Sequence, residues 1–288
     1  MLSRSQRIHA NGVEIGIIQR DAEPSKNREG TLVLLHGFTG SAANWEHLFD
    51  QLALPAMQLI AIDMLGHGQS SAPEDPERYT MQHCQADILA VLTELGVVPG
   101  EAILLGYSMG GRIALYTAFS HFFRALILES ASPGLADPTE RAQRRRSDTV
   151  LAASIERDGM ASFVEHWEQL PLFASQSNLP EEIRQALHRQ RLSNRVQGLA
   201  NSLRGVGTGE QSDLHERLPS LTLPVLLIAG ELDTKFCSIA RQMEQQLPNA
   251  RLQIVPGAGH TVHLEQPVLY AQLVQQFCML DGSVASVR

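Results

Sequence analysis

A serine that could act as a nucleophile or a base lies in the motif Gly106-Tyr107-Ser108-Met109-Gly110. The apolar run 103–105 precedes the motif, and a helical pattern follows it from Arg112 to Ser120. A serine on such a sharp strand-to-helix turn projects its hydroxyl out of the sheet, and the flanking glycines leave room for the turn. The start of the helix favours negative charge that develops there. Ser108 is therefore the candidate reactive group.

A serine hydroxyl reacts poorly until a histidine accepts its proton, and that histidine needs a carboxylate to orient it. In a fold of this type the order along the chain is serine, acid, histidine. Asp233 follows the apolar run 224–230, and His260 follows a predicted strand at 251–256. We expect these two residues to complete a triad with Ser108, with Glu231 as the alternative acid.

The loop His36-Gly37-Phe38-Thr39-Gly40 follows the first buried strand and predicts an oxyanion hole. Such a site needs two backbone N–H groups that converge on one point, and the expected donors are those of Phe38 and Met109. His36 is expected to brace this loop, and His67 is expected to have a structural role. His263, close to His260, is either a substrate contact or a residue at the start of a helix.

The elements that must position these residues alternate between strands and helices. An antiparallel hairpin is predicted over 6–20 with its turn at Asn11-Gly12. The remaining predicted strands and helices are 31–35, 43–54, 57–63, 81–95, 103–105, 112–120, 125–129, 224–230, 236–247, 251–256 and 267–279. This alternation predicts an α/β fold, with a mostly parallel sheet and helices on both faces.

The alternation stops between residues 136 and 212, where helical patterns occur without a convincing strand. We interpret this segment as a helical cap, or lid, and assign 1–135 and 213–288 to the core. Residues 139–204 carry ten arginines and eight acidic residues, a net charge of +2, whereas the rest of the chain has a net charge of −10. This basic segment is either a place where an anionic substrate collects or a set of solvated helix faces.

The composition excludes several classes of protein. The formal charge of −8 argues against general binding of nucleic acid. The three cysteines lack metal-binding spacing and favour a reducing compartment. No apolar stretch approaches the length of a membrane span, and no secretory signal, metal-ligand spacing or phosphate-binding loop is recognisable. We expect a cytoplasmic protein without a metal or cofactor.

Taken together, the serine motif, the 36–40 loop, the Asp63-x-x-Gly-His-Gly68 loop and the late Asp233 and His260 resemble the α/β-hydrolase superfamily. That resemblance covers nearly the whole chain and implies an eight-stranded, mostly parallel sheet with a helical lid. It does not specify the reaction, because one fold supports many chemistries.

Finer segments resemble one family, the 2-succinyl-6-hydroxy-2,4-cyclohexadiene-1-carboxylate synthases of menaquinone biosynthesis. They are the serine motif with Arg112 and the stretches 132–135, 140–148, 163–175, 230–236 and 259–263. The resemblance implies a lyase that eliminates pyruvate from 2-succinyl-5-enolpyruvyl-6-hydroxy-3-cyclohexene-1-carboxylate, with no cofactor. It implies that Ser108, Asp233 and His260 form the triad.

The resemblance also implies the groups that bind this tricarboxylate, since arginine grips carboxylates with two parallel hydrogen bonds. The implied substrate-binding residues are Arg112, Arg144, Arg191, Tyr107 and Trp167. Arg189 and Arg195 are close to Arg191 in sequence and are the alternatives for this second lid arginine. His263 is a further possible contact.

Two other functions remain open from the sequence. The first is a serine hydrolase, either a carboxylesterase or a carbon–carbon bond hydrolase, which needs the same triad. The second is a ligand-binding receptor on the same fold. For the lyase, the expected partner is a small tricarboxylate, without nucleic acid or membrane, and the expected state is a monomer or a weak homo-oligomer.

Overall fold

The fold is an eight-stranded sheet covered by helices on both faces. The structure is a computed structural model that describes residues 2–284. The strands are β1 (Arg4–Ala10), β2 (Val13–Arg20), β3 (Gly30–Leu35), β4 (Met57–Ile62), β5 (Ala102–Tyr107), β6 (Phe123–Glu129), β7 (Val225–Gly230) and β8 (Ala250–Val255). Their order is β1-β2-β4-β3-β5-β6-β7-β8, with β1 and β2 antiparallel to their neighbours and the others parallel. The predicted fold class is confirmed.

The structure has a helix at each of the five positions where one is predicted with bounds, and four further helices among the described residues. They are α1 (Glu46–Gln51), α2 (Met81–Glu94), α3 (Met109–Ala118), α4 (Pro138–Glu168), α5 (Glu181–Leu192), α6 (Val196–Val206), α7 (Thr234–Gln246), α8 (Val262–Glu265) and α9 (Pro267–Val284). Short 3-10 segments cover Ala42–Trp45, Pro76–Tyr79, Pro171–Asn178 and His215–Ser220. In residues 2–284 no helix has the length and apolar character that crossing a bilayer requires.

The helix expected over 43–54 is shorter than predicted. A 3-10 turn and α1 cover 42–51, and the backbone is extended from Leu52 (ψ 115°). Pro55 disfavours helical geometry in the residue before it, and Leu52 and Leu54 are buried against the core. Burial of these leucines in extended backbone therefore ends the helix early.

Two apolar layers hold the sheet between the helices. One face packs against α2, α3 and α7, with residues such as Ile88, Ile113 and Met243. The other face packs against α1 and α9, with residues such as Phe49 and Tyr270. Strands β3 to β6 are mostly apolar and almost entirely buried because both of their faces are covered.

Helices α4, α5 and α6 all lie between β6 and β7, where the sequence predicts the lid. They have a small apolar core of their own, formed by residues that include Ile155, Phe163 and Leu199. Phe38 and Trp167 pack against this core. The insertion is thereby held next to the loop that follows β3, above the carboxyl ends of the parallel strands.

Candidate active site

Ser108 occupies a strained turn between β5 and α3. Its φ and ψ angles are 51° and −109°, in a region of backbone conformation that residues other than glycine rarely adopt. Here α3 approaches the sheet so closely that a Cβ on Gly106 would lie 2.3 Å from the carbonyl oxygen of Gly110, and one on Gly110 would lie 2.4 Å from that of Leu35. The two glycines of the motif are therefore required by backbone contact, and the contact holds the serine at the sheet edge.

His260 joins Ser108 to Asp233. Its Nε2 lies 3.0 Å from the Ser108 Oγ, and its Nδ1 lies 2.6 Å from the Asp233 Oδ2. His260 and Asp233 are both buried. Since a carboxylate only accepts, Nδ1 carries the proton and Nε2 is left to accept one from the serine. This is the arrangement that activates a serine hydroxyl.

Two carboxylates compete for the role of acid in the loop after β7, and the fold separates them. Asp233 caps α7, where its Oδ1 accepts the Phe236 N–H at 3.2 Å while Oδ2 faces His260. Glu231 is exposed and accepts the Gly257 N–H at 3.0 Å. The geometry thus favours Asp233, and the alternative acid Glu231 braces a neighbouring turn.

The loop at 36–40 lies beside Ser108, as an oxyanion hole requires. His36 braces it from beneath: Nδ1 donates to the Gly37 carbonyl at 2.8 Å, and Nε2 accepts the Met64 N–H at 3.0 Å. Within residues 2–284, the N–H groups of Phe38 and Met109 donate to no protein acceptor. Both donors are therefore available for a ligand oxygen.

Burial in the two loops lowers the pKa of their histidines. The pKa of His36 falls to about 4 and that of His67 to about 3, in each case mainly because the ring is removed from water. The His67 Nδ1 donates to the Leu65 carbonyl at 3.1 Å, and its ring lies 6.1 Å from that of Phe38. Both rings are therefore neutral at physiological pH, and their contacts are structural.

A cavity of about 360 Å³ opens above Ser108 and His260. Its wall includes both oxyanion-loop side chains and residues from the lid. The predicted residues that line it are Phe38, Tyr107, Ser108, Met109, Arg112, Arg144, Trp167 and His260. Trp167 packs edge-on to Phe38 at 5.3 Å between ring centroids. The structure thus brings eight of the eleven predicted site residues to one cavity, and Asp233 supports it from behind.

Arg112 and Arg144 give this cavity a positive wall. Arg112 is buried, and its Nη1 donates to the Gln211 amide oxygen at 3.4 Å. Burial, and then the charge of Arg144, lower the pKa of Arg112 to about 10, so that it stays charged at neutral pH. Arg144 is about half exposed and donates through Nε to Asp148 at 2.8 Å.

Three residues of this region were not predicted. Lys235 lines the cavity next to Asp233, Gln211 supports Arg112, and Asp148 orients Arg144. The i, i+4 spacing of Arg144 and Asp148 on a predicted helix is a signal from which their pairing could have been found. Gln211 carries no comparable local signal, because Arg112 lies 99 residues away in sequence, and no spacing marks Lys235.

The structure places Arg191 and His263 outside this cavity. They line a smaller neighbouring cavity of about 40 Å³, on the other side of Tyr107 and Phe173. Arg191 is bound to Glu168 at 2.9 Å and to the Gln176 side chain at 3.0 Å. His263 is bound to Glu129 through Nδ1 at 2.9 Å. Both side chains already have protein partners, so direct contact with a substrate at Ser108 does not follow from this geometry.

No metal site competes with this arrangement in the part of the chain that the structure describes. There, no group of three or more His, Cys, Asp or Glu side chains is arranged to hold an ion. The reactive and charged groups that the structure brings together at the site are the serine, the histidine and the cationic wall.

Comparison with known proteins places the chain among its relatives. Residues 30–267 match the family model of the alpha/beta hydrolase fold. A Bacillus subtilis (strain 168) protein, provisionally named 2-succinyl-6-hydroxy-2,4-cyclohexadiene-1-carboxylate synthase, is 44% identical over 267 residues, which cover 92% of this chain and 96% of that protein. The synthase of the same name from Serratia proteamaculans (strain 568) is 34% identical over 254 residues, which cover 87% and 94% of the two chains.

A solved structure agrees with these sequence relatives. MenH from S. aureus matches with a TM-score of 0.86 and 33% identity, over 92% of this chain and 98% of that one. The match includes the insertion between β6 and β7, since so little of either chain is left out. The chain belongs to the α/β-hydrolase family and, within it, to the family of 2-succinyl-6-hydroxy-2,4-cyclohexadiene-1-carboxylate synthases.

Proposed function

We propose that this protein eliminates pyruvate from 2-succinyl-5-enolpyruvyl-6-hydroxy-3-cyclohexene-1-carboxylate to form 2-succinyl-6-hydroxy-2,4-cyclohexadiene-1-carboxylate. The observation that carries the proposal is the content of one cavity. A serine in contact with a histidine shares it with Arg112, Arg144 and Lys235. A cytoplasmic location is part of the proposal, because the sparse cysteines favour a reducing compartment.

The cationic wall suits a substrate with three carboxylates. Arg112 is buried and makes no ion pair with a described carboxylate, and one carboxylate, Asp148, pairs with Arg144. An anion bound there would relieve the cost of burying the Arg112 guanidinium. A simple ester offers no such charge, and an esterase pocket does not need these cations.

The triad supplies the base for the elimination. His260, oriented by Asp233, takes the proton of Ser108, and the Ser108 oxygen removes the proton from the ring carbon that carries the succinyl group. The electron pair released there moves through the ring alkene and breaks the carbon–oxygen bond to the enolpyruvyl group. The departing enolpyruvate gains a proton at carbon and becomes pyruvate. No acyl-enzyme forms in this sequence.

The oxyanion donors act on the succinyl ketone. Removal of the neighbouring proton places negative charge on that ketone oxygen. The Phe38 and Met109 N–H groups are available to donate hydrogen bonds to this oxygen and so stabilise its charge. A donor of this kind contributes about 3–4 kcal/mol to acyl-transfer transition states, and a similar benefit is expected for an enolate.

The test is to supply the enolpyruvyl substrate and measure pyruvate release by a coupled lactate dehydrogenase assay. Ser108→Ala should lower kcat by at least about a thousandfold, whereas Arg144→Ala should mainly raise KM. Arg146→Ala is a matched control, since Arg146 is exposed on the same helix and does not line the cavity. Pyruvate release that is unchanged in Ser108→Ala would refute the proposal.

The same preparation distinguishes the two alternatives. Fast turnover of p-nitrophenyl acetate with a pre-steady-state burst, together with no pyruvate release, would indicate a serine hydrolase. Tight binding of the tricarboxylate without turnover of either compound would indicate a receptor. Either result would replace the lyase proposal.

A further inference from the structure

Behind the triad lies a second pair of an acid and a histidine that the proposed reaction does not use. Glu129, the last residue of β6, is completely buried, and His263 is 2% exposed. The His263 Nδ1 lies 2.9 Å from both carboxylate oxygens of Glu129, and the His263 backbone N–H donates to Oε1 at 3.1 Å. A fully buried carboxylate is costly unless it is bound in this way.

The order of the strands shows why a link at this place matters. Ser108 follows β5, whereas His260 follows β8, which is three strands away in the sheet. The loop that carries His260 must therefore cross back over the end of β7 to reach the serine. The end of β6 lies next to β5 and between Ser108 and the end of β8, so residues there can contact both the serine turn and the His260 loop.

Glu129 and Ser130 make contacts to both sides of the Ser108–His260 pair. The Glu129 carbonyl accepts the Ser108 N–H at 2.8 Å, and the Ser130 Oγ donates to the His260 carbonyl at 2.9 Å. The Glu129 carboxylate holds His263, three residues beyond His260. Tyr107 fills the space between, with its ring 4.8 Å from that of His263 and 5.5 Å from that of His260.

We propose that Glu129 and His263 are positioning residues, which hold the His260 loop at the distance from Ser108 that proton transfer requires. The pair does not touch the substrate, and it acts through the backbone of both triad residues. A displacement of His260 by a fraction of an ångström would lengthen its contact with the Ser108 Oγ and slow the chemical step. The inference rests on the proposed function only in that the Ser108–His260 pair must be reactive.

Three variants separate positioning from simple stabilisation. His263→Phe keeps a ring between Trp45 and Tyr107 but removes the imidazole partner of the buried carboxylate, which retains only the backbone N–H of residue 263 among the contacts described above. The double variant Glu129→Met/His263→Phe removes both polar groups and their link at similar volume. Glu129→Gln removes the charge and keeps an oxygen that accepts the His263 N–H.

The decisive measurement compares the melting temperature with kcat. We expect His263→Phe to lose both stability and activity, and the double variant to regain stability because no charge is left unpaired. Its kcat should stay at least about tenfold below that of the unaltered protein, with KM within about threefold, while Glu129→Gln keeps kcat within about threefold. The positioning role is wrong if the double variant recovers kcat together with its melting temperature. It is also wrong if Glu129→Gln has a kcat as low as that of the double variant.

A second readout does not depend on the substrate. Phenylmethylsulfonyl fluoride modifies an activated serine, so its rate constant for inactivating Ser108 should fall in parallel with kcat in the double variant. An unchanged rate constant would overturn the inference, even if the protein released no pyruvate. If the protein releases no pyruvate but the double variant is inactivated more slowly, the positioning role is supported and only the proposed function fails. The control is the ion pair of partly buried Arg78 with buried Asp87, whose replacement by Met and Leu should leave this rate constant unchanged.

Discussion

Asp148 accepts a hydrogen bond from Arg144, four residues earlier in the same helix, at 2.8 Å. Asp148 is buried, and its other oxygen accepts the Gly209 N–H at 3.3 Å. Its charge also acts on Arg112 and raises the pKa that burial lowers. One carboxylate therefore serves two guanidinium groups, and the cavity keeps a net positive charge for an anionic ligand.

Arg112→Lys should lower kcat/KM for pyruvate release by about tenfold or more. Lysine keeps the charge but cannot form two parallel hydrogen bonds to a carboxylate, and a charge-assisted hydrogen bond contributes about 1.5–3 kcal/mol. Steady-state kinetics check this, with Arg146→Lys as the control on the exposed side of the lid. Equal kinetic constants for the Arg112 variant and the unaltered protein would remove Arg112 from the substrate site.

Lys235→Glu should raise KM, because it places a negative charge in the wall of the cavity. Lys235 is exposed, so the expected change is moderate, about three- to tenfold. Lys26→Glu is a matched control, since it makes the same change in net charge at an exposed position that does not line the cavity. If both variants raise KM equally, the effect belongs to the net charge and not to the site.

Asp233→Asn should lower kcat by about four orders of magnitude, as loss of the orienting carboxylate does in other triads. The amide cannot stabilise the charged His260 and favours the wrong tautomer. Glu231→Gln tests the alternative acid two residues away and should leave kcat nearly unchanged. The prediction fails if the two variants exchange these outcomes in the same assay.

Acidification should destabilise the protein through His67. Its pKa is about 3 in the folded state, below the ordinary value of 6.5, so the unfolded chain takes up the proton first. The free energy of unfolding should therefore fall as the pH drops below about 6.5, by up to about 1.4 kcal/mol per pH unit for this histidine. The loss ends only below about pH 3.

His67→Phe removes this contribution and isolates it from other groups. Acidification also lowers the free energy of unfolding through His36, and it raises that free energy through Asp63, whose pKa is raised by burial. Both residues remain in the variant. Denaturant unfolding at pH 7, 6 and 5 should give a shallower decline for His67→Phe than for the unaltered protein. Parallel declines would show that His67 does not stay neutral in the folded state.

Much of this architecture could be predicted from local sequence patterns. Buried parallel strands are continuous apolar runs, and glycines are needed where α3 meets the sheet, so the strands and the serine turn were predictable from short segments. Asp233 and His260 were predictable because each follows a strand at the sheet edge where Ser108 lies. The membership in the synthase family rests on such segments and was also predictable.

The contacts of individual polar side chains depend on partners that are distant in sequence. Arg191 and His263 have the residue types of a substrate site, yet Glu168 and Glu129 bind them outside the cavity. Glu129 and His263 are 134 residues apart, so no spacing along the chain predicts their pairing. Local periodicity specifies which segments form strands and helices, since it reflects nearby backbone geometry and burial. The direction and partner of each charged side chain are specified only when the sheet is assembled, because groups from distant segments then meet and a buried charge is costly unless one of them compensates it.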